Sequence, residues 1–72
     1  MLSELGDEEK AILKALNELK EPAGCAAIGE KAGINWRRVM GKLRGLSKNG
    51  YVKSPVKGKY VITDKGKQTL KY

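Results

Sequence analysis

Histidine is absent from this 72-residue chain, and cysteine occurs only once, as Cys25. A lone cysteine forms no internal disulfide. With no histidine beside it, a zinc site has almost no ligands to draw on, so no metal and no cofactor is expected. Cys25 sits among alanines and reads as a small buried hydrophobe, since a reactive thiol needs a positive, accessible setting. No apolar run approaches the roughly 20 residues of a membrane span. The start, "MLSELGDEEK", is acidic and lacks the basic, apolar pattern of a signal peptide. A soluble, intracellular, cytoplasmic protein is expected. Repeats, low-complexity tracts and linkers are also missing, so residues 1–72 are read as one domain. Catalysis is not expected either. The acids crowd at surface positions of the first helical pattern, and neither a nucleophile–base pair nor a phosphate-cradling glycine loop is visible.

What the chain does have is positive charge, unevenly placed. The formal net charge is +7. Residues 1–30 carry three lysines and seven acids, a net of −4, whereas residues 31–72 carry twelve basic residues against Asp64 alone, a net of +11. Such asymmetry points to a polyanionic partner, nucleic acid before an anionic membrane surface. Hydrophobic residues make up 40%. That is enough for one small core, although a chain this short buries only about 60% of its unfolded surface.

The apolar spacing predicts the elements. In "GDEEKAILKALNELKEP", Ile12, Leu13, Leu16 and Leu19 form a helical stripe with Ala11 and Ala15 beside it. Asp7 or Gly6 serves as the cap, Glu8 and Glu9 complement the positive helix end, and Pro22 is the predicted stop. Gly24 marks a turn or very short strand. Cys25 to Ala32 form a short helix of small residues anchored by Ile28, and Gly33 ends it. Ile34 dips into the core, and Asn35 caps a third helix running from Trp36 to about Asn49.

That third helix is two-sided. Val39, Leu43 and Leu46 share one face, while Arg37, Gly41, Arg44 and Lys48 share the other, bordered by Arg38 and Gly45. Met40, on the flank, is assigned to packing. Trp36 either makes apolar contact with a thymine methyl or a sugar, or covers the turn before the helix. Tyr51 to Ser54 and Lys59 to Thr63 are strand-like, joined through "PVKGK" with Gly58 in the turn. Pro55 belongs at a strand end or on an edge. Thr63 caps a last short helix reaching about Leu70.

The ordered combination resembles the winged helix-turn-helix family, of the MarR-like and related prokaryotic and archaeal regulator type. The residues that carry the likeness are Ile28, "AGIN" (Ala32 to Asn35), Val39, Leu43, Leu46, "KNGYV" (Lys48 to Val52) and "YVITDKG" (Tyr60 to Gly66). It covers nearly the whole chain from Asp7 onward. The resemblance implies an α+β winged helix: three helices, a two-stranded hairpin wing and a short C-terminal helix. It also implies binding of double-stranded DNA by a transcriptional regulator, through Asn35 to Lys48 in the major groove and a wing around Lys53, Lys57, Gly58 and Lys59.

The residues support the same partner on their own account. Arg37 and Arg38, in the first turn, sit where base edges are met. Arg44 and Lys48 suit phosphate, and Lys42 is counted among the DNA-binding residues of the same helix. At Gly41 a missing side chain lets the helix backbone come close to DNA. The alternative is that Gly41 and Gly45 admit another protein element. MarR-like regulators often dimerise through long terminal helices, which this chain lacks, so a monomer or weak homodimer without a sizeable ligand pocket is expected. Two other functions remain open at this level: a protein-docking winged helix, and an RNA- or tRNA-binding one.

Overall fold

The structure, a computed structural model, describes residues 6–70. The N-terminal stretch read as lacking a leader lies mostly outside them. Helix α1 runs over Asp7–Leu19, α2 over Cys25–Ala32 and α3 over Trp36–Lys48. Strands β1 (Val52–Val56) and β2 (Lys59–Ile62) follow, and α4 (Asp64–Thr69) closes the described chain. This is the order the sequence predicts.

Each helix starts and stops for a local reason. Gly6 caps α1, and its N–H donates to Glu9 Oε1 at 2.9 Å. Asp7, Glu8 and Glu9 fill the first turn, where the helix dipole favours negative charge. The stop comes before Pro22. Lys20 turns left-handed at φ 59°, and its N–H closes on Leu16 O. The proline therefore follows a helix already ended. Gly33 takes φ 75° after α2, a conformation glycine reaches without steric cost. Asn35 then accepts from Arg37 N–H at 2.9 Å and opens α3.

The core is where the apolar stripes meet. Ile12, Leu13 and Leu16 of α1, Ile28 of α2, Val39, Leu43 and Leu46 of α3, and Val52 of β1 are all buried. Leu19, Cys25 and Ile34 pack against this cluster without being fully covered. Gly29 shows why α2 is built of small residues. A Cβ there would lie 2.5 Å from Ile34 O and 3.4 Å from Trp36 N, so the α2–α3 turn presses directly on the helix backbone.

The hairpin is antiparallel, pairing Val52 with Ile62, Lys53 with Val61 and Val56 with Lys59. Its first strand extends two residues beyond the predicted Ser54. Between Lys53 and Val56 the register shifts, so Ser54 and Pro55 together oppose Tyr60. This bulge accommodates Pro55, which has no N–H for a ladder. Ser54 Oγ meets Val56 O and Lys59 O, each at 2.8 Å. On its other edge β2 pairs with Ala23: Ala23 N–H donates to Tyr60 O at 3.0 Å, and Tyr60 N–H to Ala23 O at 2.8 Å. The short strand residue is thus Ala23, and Gly24 is the cap of α2. Thr63 Oγ1 accepts from Gly66 N–H and donates toward Gly50 O and Tyr51 O, which ties α4 to the end of α3.

Candidate nucleic-acid interface

Helix α3 presents four strips, and each has a different fate. The strip of Val39, Leu43 and Leu46 is in the core. The strip of Arg38 and Lys42 turns toward the start of α1. Arg38 Nε lies 3.1 Å from Glu8 Oε2, and its Nη2 donates to Glu8 Oε1 at 3.3 Å. Lys42 Nζ lies 3.2 Å from Glu9 Oε2. Burial pushes the Glu9 carboxyl up, but hydrogen bonds from its own and the Gly6 N–H groups, with Lys42 beside it, hold it below the usual glutamate value. Of the two first-turn arginines, Arg38 contacts Glu8 while Arg37 meets no carboxylate among the described residues.

The third strip faces away from the chain. Arg37, Gly41, Arg44, Gly45 and Lys48 are exposed. A Cβ at Gly41 or Gly45 would meet nothing within 4 Å. No element of the described chain packs on these glycines. Exposed on the wing are Lys53, Lys57 and Lys59, with Gly58 at φ 81° in its turn. Among the described residues, no carboxylate forms an ion pair with Arg37, Arg44, Lys48, Lys53, Lys57 or Lys59.

The fourth strip is apolar and partly exposed. Trp36 is 47% exposed and Met40, one turn later, 38%. Met40, assigned to packing, and Trp36 are each only partly covered. The Arg37 guanidinium sits over the Trp36 ring, 5.6 Å from its centroid. Val56 is also exposed, at 57%, beside the wing turn. Its place next to "KGK" at a hairpin tip is the sequence signal for it. Lys65 escaped notice. Its Nζ donates to Asn49 O at 2.8 Å and lies 4.9 Å over the Tyr51 ring, bracing the end of α3 from α4.

Away from α3, a surface groove of about 390 Å3 runs between α1, β2 and α4, lined by Leu16, Asn17, Lys20, Glu21, Val61 and Lys67 among others. Among the described residues, no helix is long and apolar enough to cross a membrane.

Three helices ending in an exposed basic helix, followed by a basic hairpin, define a class. The chain belongs to the winged helix-turn-helix family, whose model matches residues 8–72. Uncharacterized protein MJ0558 of Methanocaldococcus jannaschii is 48% identical over 44 residues, which are 61% of this chain and 17% of that protein. ZitR of Lactococcus lactis, wild type, shares the fold with a TM-score of 0.68 at 20% identity, over 97% of this chain and 50% of ZitR. The chain thus spans about a sixth of the one relative and half of the other.

Proposed function

We propose that the chain is a double-stranded DNA-binding module of a transcriptional regulator, with α3 in the major groove and the wing on the adjoining backbone. One observation carries this reading. Arg37, Arg44 and Lys48 on the outer strip of α3, and Lys53, Lys57 and Lys59 on the wing, are exposed without an ion-pair partner among the described residues. Clustered like charges repel, so an uncompensated set on adjoining elements favours binding of an anionic partner.

The shape of α3 favours duplex DNA within that class. A major groove about 12 Å wide admits one helix. Gly41 and Gly45, with open space before them, let its backbone approach the groove wall. A-form RNA hides its major groove, which favours DNA over duplex RNA. The module is read as a binding one: the acids beside α3, Glu8 and Glu9, are committed to Arg38 and Lys42.

Titration of duplex DNA at several salt concentrations tests the reading. About four to six phosphate contacts give a log–log slope of roughly −4 to −5. A flat response, or no binding at about 50 mM salt, would instead favour a protein-docking role.

A further inference from the structure

Resting on the DNA reading, we infer that the apolar strip of α3 is a specificity element, and that Trp36 and Met40 read the 5-methyl group of a thymine next to a guanine bonded by Arg37. Trp36 and Met40 are one helical turn apart and exposed, on the flank opposite the Arg38 and Lys42 ion pairs. They border the outer cations directly, since Arg37 lies against the indole ring. Whatever covers this strip must therefore be apolar at one point and anionic around it. The edges of a DNA major groove offer one apolar group, the thymine methyl, inside a frame of phosphates.

Arg37 defines the neighbouring base. A guanidinium presents a planar fork of donors, and stacking on an aromatic ring limits its motion. That fork matches the O6 and N7 acceptors of guanine. Asn35 caps the helix start through the Arg37 N–H, which fixes the backbone from which Trp36 and Arg37 both project. Indole and guanidinium project from the same capped turn and lie against each other, so the two bases they read are adjacent. A second copy of this chain is a poorer occupant. Two-fold pairing of like strips would bring Arg37 and Arg44 of each copy toward the same cations of the other.

The test begins with the full chain and a random duplex pool. The enriched duplex is then measured with thymine and with deoxyuridine at each position, against the wild type, Trp36→Ala and Met40→Ala. The expected site holds a guanine flanked by thymine, and removing that one methyl weakens wild-type binding about fourfold. Trp36→Ala is expected to lose that sensitivity. Binding indifferent to deoxyuridine at every position overturns the inference while leaving the DNA reading intact. So does equal sensitivity in the wild type and Trp36→Ala. Should Trp36→Ala alter sedimentation and not duplex affinity, the strip belongs to a second copy and the inference falls. If no duplex is bound at any salt concentration, the DNA reading falls and this inference with it. The deoxyuridine comparison on the wild type needs no variant to fold.

Discussion

Arg38 and Arg44 both lie on α3, one on each of two strips, and they are used differently. Arg38 reaches back to Glu8 with two of its nitrogens, and Lys42 one turn later reaches Glu9. Arg44, with Arg37 and Lys48, faces outward and meets no carboxylate among the described residues. One helix therefore divides its cations into a pair that contacts the carboxylates of α1 at the surface and a set that meets no carboxylate among the described residues. Glycine divides the same way. Gly29 is pressed by the turn that launches α3, whereas Gly41 and Gly45 face empty space. Charge or glycine on a helix thus has no fixed meaning until its neighbours are known.

The sharpest way to break the comparison is on the glycines. Gly29→Ala places a methyl 2.5 Å from a backbone carbonyl that cannot rotate away. It should destabilise the fold by about 3 kcal/mol in urea or thermal melts. A neutral result would show that the α2–α3 turn yields easily. Arg37→Ala should leave the melting temperature nearly unchanged but reduce discrimination between duplex sequences by about 1–3 kcal/mol. Competition titrations with matched and mismatched duplexes read this directly, and uniform weakening across sequences would reduce Arg37 to a phosphate contact.

Gly41→Ala sharpens the contrast with Gly29. Alanine there meets nothing within 4 Å. Helix propensity then predicts a stabilisation of about 0.5–1 kcal/mol. Duplex affinity should fall in the same variant, because the methyl holds the backbone off the groove. A stability gain with unchanged affinity would remove Gly41 from the interface.

A smaller effect, on the strip paired with the carboxylates of α1, depends on pH. The Glu9 carboxyl is held below its usual value in the folded chain. Its contribution to stability is therefore complete above the unfolded glutamate pKa of about 4.3, and is lost as pH falls through the lower folded value. Urea midpoints between about pH 5.5 and 3 should drop less steeply in Glu9→Gln than in the wild type. Identical slopes would show that the Gly6 and Lys42 contacts of Glu9 do not favour its ionised form.

What could be read from the sequence was whatever depends on near neighbours along the chain. Gly33, Asn35 and Thr63 were legible because a cap acts within three or four residues. The buried stripes of α1 and α3 followed from spacing. The contact of Arg38 with Glu8 was not legible because Glu8 stands 30 residues away, and only the packing of α1 on α3 brings them together. Trp36 was open between two readings, and Met40 was assigned to packing, for a related reason. A helical wheel gives the direction of a side chain but not how far the neighbouring elements extend over it. Gly29 looked like one small residue among several, because close approach is a property of two segments. Pro55 stayed inside its strand through a bulge, which depends on the partner strand's register.

The central claim of the proposal is that the strip of Arg37, Arg44 and Lys48, and not the strip paired with the carboxylates of α1, meets duplex DNA. The most direct measurement is the salt dependence of duplex binding for Arg44→Ala beside Arg38→Ala. Losing one phosphate contact should make the log–log slope shallower by about one for Arg44→Ala. The slope for Arg38→Ala should match the wild type, since its guanidinium is engaged by Glu8. Equal reductions in both variants, or a reduction in Arg38→Ala alone, would contradict the division of α3 described here.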